Sequence, residues 1–251
     1  MVHFIGAGPG APDLLTLRGA RLLGEADVVI YAGSLVNPEL LRLAKPGCEV
    51  HNSAELTLPG ILAVIEAAER AGKTTVRLHT GDPSLYGALR EQLDALTERG
   101  VAWDLTPGVS SLFGAAAALG AEFTLPGVSQ SLIVTRCAGR TAVPEAENLA
   151  ALASHGASMA LFLSAGHLEN AREQLLAGGM APDTPAALVY RATWPDERVV
   201  RCTVGTLPEA AKAAGVRRTA LVLAGRFLEA AGAPSRLYAP DFSTGYREAE
   251  A

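Results

Sequence analysis

The sequence has little of what metal sites, disulfide frameworks and nucleic-acid surfaces require. Only three cysteines and five histidines occur in 251 residues, and they are scattered rather than grouped as metal ligands are, so we expect no metal. An odd number of scattered cysteines is typical of the reducing cytoplasm. The net charge is −5 and Arg217-Arg218 is the single adjacent basic pair, which disfavours nucleic acid as a partner.

Long apolar runs are missing as well. The longest stretch of small apolar residues, 112–125, is interrupted by Gly114, Gly120 and Glu122 and is too short to cross a bilayer. No basic region precedes the first apolar run, so no signal peptide is predicted. We therefore expect a cytoplasmic protein with no membrane partner. A hydrophobic fraction of 49% with a mean hydropathy of +0.22 suffices for a large core and indicates a buried subunit interface or a deep apolar cleft.

Apolar runs alternate with helical periodicity along the chain, which predicts an α/β fold. In the first half, strands are predicted near residues 2–6, 27–31, 48–51, 74–79 and 101–106, which indicates a mostly parallel sheet. After a hinge at 122–130, strands are predicted near 131–135, 159–163, 186–190, 199–204 and 220–223. The turn at 194–197 indicates a hairpin, so the second sheet should be mixed. We predict two α/β domains, residues 1–121 and 122–251.

Three loops rich in glycine, proline and hydroxyl residues follow predicted strands. They are Gly6-Ala7-Gly8-Pro9-Gly10, Thr80-Gly81-Asp82-Pro83 and Thr106-Pro107-Gly108-Val109-Ser110-Ser111. Because open α/β sheets bind ligands at the carboxyl ends of their strands, the loops predict one site. The second loop should leave backbone polar groups unpaired around one carboxylate and suit a cofactor with a positive centre, although a plain turn explains the same residues.

The segments after the first two loops give further local predictions. Asp13 is a candidate N-cap for a helix over 14–23, and residues 84–89 are helix-like. The first loop also invites a dinucleotide interpretation. Its third glycine comes one position early, and the next strand ends at Tyr31 without the carboxylate that binds ribose. A dinucleotide-dependent oxidoreductase is therefore the alternative from another class, and a cofactor-binding module without catalysis is the non-enzymatic one.

With these loops in order, the chain resembles the class III, tetrapyrrole-type S-adenosylmethionine methyltransferases over essentially its whole length. Four segments resemble the subgroup that acts on precorrin-4 in cobalamin biosynthesis: Tyr31-Ala32-Gly33-Ser34-Leu35-Val36, Thr135-Arg136, Gly139-Arg140-Thr141 and Val143-Pro144-Glu145. The resemblance implies a homodimer of two-domain subunits, a cofactor cleft between the domains and methyl transfer to ring carbon C-11. Cobalt-precorrin-4, uroporphyrinogen III, a diphthamide precursor and ribosomal RNA stay open as acceptors, with the acidic pI against RNA.

The resemblance also implies site residues. The positions that match the family's contacts to S-adenosylmethionine, and to its product S-adenosylhomocysteine, are Pro9, Thr80, Gly81, Asp82, Leu85, Ser110, Ser111, Leu163 and Ala192. A tetrapyrrole carries many carboxylates, so cations should line its trough, and the substrate-binding candidates are Arg136, Arg140, Arg18 and Arg191, with Tyr31 for ring stacking. Three of these assignments have an ordinary structural alternative. Asp82 could cap a helix or turn, any of the arginines could be a solvated surface residue, and Tyr31 could be a half-buried packing residue. No Ser/His/Asp or Cys/His set occurs, so no general base is assigned.

Overall fold

A computed structural model describes residues 1–139, 141–229 and 232–249. Packing divides the chain into two compact units. The first contains Met1–Gly114 and the short segment Arg191–Asp196, and the second contains Ala115–Tyr190 and Glu197–Ala251. This is a division by packing, and the domain boundary predicted after residue 121 stays a prediction.

The first unit is built on one five-stranded parallel sheet with strand order β3-β2-β4-β1-β5. Its strands are β1 (Val2–Gly6), β2 (Val28–Tyr31), β3 (Glu49–Asn52), β4 (Thr75–His79) and β5 (Trp103–Thr106). Its helices are α1 (Leu17–Glu25), α2 (Leu58–Arg70) and α3 (Arg90–Glu98), and α4 (Ser111–Leu119) begins here. The parallel sheet predicted from the alternation of apolar runs is confirmed.

Apolar side chains cover both faces of this sheet because successive residues of a strand point to opposite sides. Phe4 of β1 belongs to the cluster that includes Ile65 of α2. The next residue, Ile5, belongs to the opposite cluster, with Leu23 of α1 and Leu78 of β4. Full burial of one such side chain stabilises the fold by about 1.5–3 kcal/mol. The two layers therefore hold the carboxyl ends of β1, β4 and β5 side by side.

Two local predictions beside the glycine loops are wrong. The N-cap of α1 is Thr16, whose Oγ1 accepts from the Gly19 N–H at 3.1 Å, because Pro12–Leu14 forms a separate 3₁₀ turn that includes Asp13. Residues 84–89 are not helical. Tyr86 and Ala88 have φ values of 55° and 46°, and the left-handed region interrupts a right-handed helix.

The second unit contains a five-stranded mixed sheet with strand order β6-β7-β10-β8-β9. Its strands are β6 (Leu132–Arg136), β7 (Ser158–Phe162), β8 (Pro185–Tyr190), β9 (Arg198–Thr203) and β10 (Ala220–Ala224). Helices α5 (Leu149–Ala153), α6 (Leu168–Ala177) and α7 (Leu207–Ala213) contribute to its apolar core. β6 and β7 pair in parallel, whereas the other pairs are antiparallel and include the predicted β8–β9 hairpin. The mixed sheet and the hairpin are confirmed.

Candidate functional site

The three glycine loops come together at the carboxyl ends of β1, β4 and β5. A Cβ atom on Gly6 would lie 2.5 Å from the Gly108 Cα and 2.6 Å from the Gly81 carbonyl oxygen. A Cβ atom on Gly108 would lie 2.2 Å from that same oxygen. These distances leave no room for a side chain, so Gly6 and Gly108 are required by the close approach of the three backbones.

Backbone hydrogen bonds join the first two loops directly. The Gly81 N–H donates to the Gly8 carbonyl at 2.9 Å, and the Gly8 N–H donates back to the Gly81 carbonyl at 3.3 Å. The Ala7 N–H donates to the His79 carbonyl at 2.7 Å. The expectation of unpaired backbone groups around Asp82 is therefore wrong for Gly81, because the two loops lie close enough to satisfy each other. The two loops are therefore held together by the protein's own backbone hydrogen bonds.

The Asp82 carboxylate connects the second loop to the third. Its Oδ2 accepts from the Gly108 N–H at 2.8 Å, and its Oδ1 accepts from the Ser84 N–H at 2.9 Å and from the Ser84 hydroxyl at 2.5 Å. Burial alone would raise the pKa of Asp82, but the hydrogen bonds from Ser84 and Gly108 outweigh it and hold this pKa below the ordinary value. Asp82 is thus ionised at neutral pH and fixes the loop geometry.

The other candidate cofactor positions of the first unit lie on these loops or beside them. Thr80 donates its hydroxyl to the Leu35 carbonyl at 2.9 Å, and the Ser110 Oγ accepts from the Leu112 N–H at 3.2 Å at the start of α4. Pro9 is buried, and Leu85 and Ser111 are half-buried. The structure therefore gathers seven of the nine positions in three neighbouring loops.

The remaining two positions, Leu163 and Ala192, belong to different units. Ala192 is buried in segment 191–196 of the first unit. Leu163 follows β7 in the second unit, is 68% exposed and has a φ of 52°. An exposed leucine in the left-handed region is uncommon, and such outliers cluster at ligand sites. Leu163 therefore remains a candidate from the second unit.

The sequence analysis missed a set of side chains that hold the first glycine loop from outside. Asn37, which is buried, donates its Nδ2 to the Gly10 carbonyl at 2.9 Å. Trp194 donates its Nε1 to the Pro9 carbonyl at 3.0 Å, and the Ala11 N–H donates to the Thr193 Oγ1 at 2.9 Å. The one available signal was an indole inside a predicted hairpin turn, where a large apolar ring is unexpected.

The candidate substrate arginines have different surroundings. The half-buried Arg136 donates to three carbonyls of its own loop, those of Cys137, Thr141 and Ala142, at 3.2, 3.1 and 2.7 Å. Arg191 forms an ion pair with Asp196 at 2.8 Å, and Arg18 is exposed. Arg140 lies outside the described residues. Tyr31, at the end of β2, is half-buried and packs against the α1-side core.

A buried basic pair lies on β4 directly before the second loop. Arg77 is 5% exposed and donates to the Gln92 Oε1 at 3.1 Å and to the Ile30 carbonyl at 3.2 Å. Burial lowers its pKa to about 10. His79 is 3% exposed, and its Nε2 has no hydrogen-bond partner among the described residues. Burial, with a smaller contribution from Arg77, lowers the pKa of His79 to about 3, so its ring is neutral at physiological pH.

Burial also affects the three cysteine thiols. Burial raises the pKa of Cys48 and Cys137, and it raises that of Cys202 to about 11, so the reactive thiolate is disfavoured. In the described ranges, His, Cys, Asp and Glu side chains form no group of three that could hold a metal ion. No described helix is both long enough and apolar enough to cross a membrane.

Comparison with known proteins agrees with the loop geometry. Residues 1–208 match the family described as Tetrapyrrole (Corrin/Porphyrin) Methylases. A precorrin-4 C(11)-methyltransferase of Pseudomonas aeruginosa is 47% identical over 250 residues, which cover 99% of each chain. A solved cobalt precorrin-4 methyltransferase gives a TM-score of 0.89 at 46% identity and covers 91% of this chain and 96% of its own. A uroporphyrin-III C-methyltransferase from Thermus thermophilus, in complex with S-adenosyl homocysteine, gives 0.75 at 30% identity, with 91% and 93% covered. The chain belongs to the tetrapyrrole methylase family.

Proposed function

We propose that this methylase transfers a methyl group from S-adenosylmethionine to carbon C-11 of precorrin-4, a step of cobalamin biosynthesis. The observation that carries the proposal is that two C(11)-methyltransferases are each 47% identical to this chain over nearly its whole length. One is named for precorrin-4 and the other, from Methanocaldococcus jannaschii, for cobalt-precorrin-4, so both names support transfer to C-11 and the labelling experiment separates the two acceptors. Membership of a methylase family decides against a dinucleotide-dependent oxidoreductase. It also decides against a module without catalysis, because the whole chain matches enzymes of one reaction class.

The three glycine loops fit the proposed cofactor. The backbones of Gly6, Gly81 and Gly108 pack against one another at the carboxyl ends of β1, β4 and β5, the edge at which parallel sheets bind ligands. The ionised carboxylate of Asp82 fixes a negative charge there, opposite in sign to a sulfonium. Oδ2 of Asp82 has one protein donor and keeps capacity for another. We assign the cofactor to Pro9, Thr80, Gly81, Asp82, Leu85, Ser110, Ser111, Leu163 and Ala192.

Methyl transfer of this kind depends more on the positioning of the two reactants than on acid–base catalysis. When bound, the cofactor supplies a methyl group on a good leaving group, so the chain has to hold the accepting carbon in line with it. Positioning of this sort supplies about 7–11 kcal/mol of barrier reduction. His79 does not suit a general base at neutral pH, because its pKa is about 3 and its ring is 3% exposed. No general base is assigned.

The tetrapyrrole carboxylates require cations, and Arg136 is our first choice. Three of its five N–H groups bond the carbonyls of its own loop, which orients the guanidinium, and the other two have no hydrogen-bond partner among the described residues. We retain Arg140 and Arg18 as further candidates, with Tyr31 for ring contact. Arg191 is the weakest candidate, because it already pairs with Asp196.

We further propose a cytoplasmic homodimer, as the family resemblance implies. Support comes from large apolar side chains on the surface of the first unit, such as Leu17 at 92% and Phe113 at 59% exposure. Burial of such side chains against a second copy of the chain would remove apolar area from water. Sedimentation equilibrium of the purified chain tests this directly, and a monomer at micromolar concentration would contradict it.

The decisive experiment locates the transferred methyl group. The protein is incubated with methyl-labelled S-adenosylmethionine and, separately, precorrin-4, cobalt-precorrin-4 and uroporphyrinogen III, and the labelled carbon is identified by NMR. Label on C-11 of precorrin-4 is the expected result. Label confined to cobalt-precorrin-4 would assign the metal-containing acceptor, and label on uroporphyrinogen III alone would refute the proposed acceptor.

Binding tests the cofactor independently of the acceptor. S-adenosylhomocysteine should raise the melting temperature, since a ligand at a hundredfold excess over its Kd adds about 2.7 kcal/mol of stability. NAD(P) should leave the melting temperature unchanged. Stabilisation by NAD(P) alone would overturn the cofactor assignment.

A further inference from the structure

A short segment of the β8–β9 connection packs on the first glycine loop. This segment, residues 191–196, follows the end of β8 but belongs to the first unit. We call it the hairpin segment. Its target is the stretch Pro9–Ala11, which leads from the first glycine loop into the 3₁₀ turn at Pro12–Leu14.

Side chains form hydrogen bonds with one backbone polar group of each of three consecutive residues, Pro9, Gly10 and Ala11. The Trp194 Nε1 donates to the Pro9 carbonyl at 3.0 Å, and the Thr193 Oγ1 accepts from the Ala11 N–H at 2.9 Å. Between them, the Gly10 carbonyl accepts from Asn37 at 2.9 Å. Two of the three contacts come from the hairpin segment. An irregular loop with no ladder partners at these positions is thereby fixed at each residue.

The indole ring of Trp194 occupies the place of a side chain on Gly10. A Cβ atom on Gly10 would lie 2.1 Å from the Trp194 Cδ1 and 2.3 Å from its Nε1. Gly10 is not among the residues with a left-handed φ. The ring, and not the backbone conformation, therefore makes glycine necessary at this position.

Arg191 also contacts the Trp194 ring. The guanidinium of Arg191 lies 4.0 Å from the centroid of the Trp194 ring and forms its ion pair with Asp196 at 2.8 Å. Arg191 and Thr193 have φ values of 46° and 69°. Left-handed residues of this kind cost about 1–3 kcal/mol each and persist only where the surroundings impose them. The hairpin segment therefore has a strained backbone conformation that its surroundings impose.

We propose that Trp194 is a positioning residue for cofactor binding, acting through the backbone of Pro9–Ala11. The proposal rests on the function proposed above, because the loop matters only if it receives the cofactor. Pro9 is a candidate cofactor contact, and the preceding residue, Gly8, is bonded to Gly81 of the second loop. Fixing the outer part of the first loop therefore sets the position of the surface that the cofactor meets, and loosening it should weaken binding without altering the chemistry.

The chain offers a matched control, because it contains only two tryptophans. Trp103, at the start of β5, donates its Nε1 to the Thr97 Oγ1 at 3.0 Å. Trp194→Phe and Trp103→Phe each remove one indole N–H donor from the same unit. Kd for S-adenosylhomocysteine is measured by calorimetry in both variants and in wild type, beside thermal melts and steady-state kinetics.

Trp194→Phe should weaken S-adenosylhomocysteine binding about 2- to 10-fold, the effect of one hydrogen bond, and raise KM for S-adenosylmethionine with kcat little changed. Trp103→Phe should leave Kd unchanged. Equal Kd in wild type and Trp194→Phe, or equal weakening in both variants, would overturn the proposal. If wild type itself does not bind S-adenosylhomocysteine, the proposed function fails, which is a distinguishable result.

Thr193 provides a second test if Trp194→Phe folds poorly. Thr193→Val removes the acceptor for the Ala11 N–H at nearly constant shape and should weaken binding by a similar factor, whereas Thr193→Ser keeps the hydroxyl and should bind like wild type. A serine variant as weak as the valine variant would mean that packing, and not loop positioning through this bond, causes the loss.

Discussion

His79 should make the protein sensitive to acid. Its imidazole is 3% exposed at the end of β4, lies 5.8 Å from the Phe4 ring between centroids, and has an Nε2 without a hydrogen-bond partner among the described residues. Burial and the neighbouring positive charge of Arg77 lower its pKa to about 3. In an unfolded chain the same group titrates near its ordinary value of about 6.5.

The direction and the size of the effect follow from these two values. Between about pH 6.5 and pH 3 the unfolded chain binds this proton and the folded chain does not, so the free energy of unfolding falls as the pH falls. Each pH unit in that window costs about 1.4 kcal/mol, so His79 alone removes about 2 kcal/mol between pH 7 and pH 5. Above pH 6.5 its contribution is constant.

Urea unfolding at pH 7, 6 and 5 measures this for wild type and His79→Leu. The variant removes the buried unpaired nitrogen, so its free energy of unfolding at pH 7 should be close to that of wild type, and its loss at pH 5 should be about 2 kcal/mol smaller. His155→Leu makes the same substitution at an exposed histidine of the second unit and controls for the loss of an imidazole. Identical pH profiles for wild type and His79→Leu, or equal flattening in both variants, would refute the reasoning.

The strands of both sheets were predictable from the sequence because their signals are local. An apolar run that stops at glycine or proline identifies a strand and its end without knowledge of the rest of the chain. The run around β4 is an example, since a strand was predicted near 74–79 and β4 spans Thr75–His79, directly before the loop that contains Gly81. The same glycine and proline signals predicted that three loops lie at one sheet edge, and Gly6, Gly81 and Gly108 meet there.

The partners of the site residues were not predictable, because they are distant in sequence. The carboxylate of Asp82 bonds the backbone of Gly108, 26 residues away, and Trp194 bonds Pro9, 185 residues away. Neither pairing is encoded by a period or by a turn signal. Both depend on which loops the strand order brings together, and a polar side chain in a loop has many alternative partners until that order is fixed.

Local sequence patterns gave wrong predictions where contacts in the folded chain override them. The spacing of apolar residues over 84–89 suits a helix, but a Cβ atom on Gly87 would lie 2.3 Å from the Pro83 carbonyl oxygen. The chain folds back on itself there with Tyr86 and Ala88 in left-handed conformations. Likewise, Arg77 lies inside a run that otherwise reads as apolar core, and it is accommodated because Gln92 and the Ile30 carbonyl accept its hydrogen bonds.

Variants at the glycine loops and at the candidate arginine test the remaining steps. Gly108→Ala should destabilise the fold by about 1–3 kcal/mol through overpacking and lower the melting temperature, whereas Gly245→Ala, with open space around it, should not. Arg136→Ala should weaken tetrapyrrole binding about 10- to 100-fold with an unchanged Kd for S-adenosylhomocysteine, and unchanged tetrapyrrole affinity would place it outside the substrate site. In Asp82→Asn, one acceptor can still serve the Ser84 N–H, but the new NH₂ group then faces the Gly108 N–H and that hydrogen bond is lost. Because the lost bond joins two loops, we expect a loss of about 1–3 kcal/mol in the free energy of unfolding together with weaker cofactor binding. A thermal melt beside calorimetric binding separates the two effects: weaker binding at unchanged stability would mean that the carboxylate serves the cofactor alone, and unchanged values of both would remove Asp82 from the site.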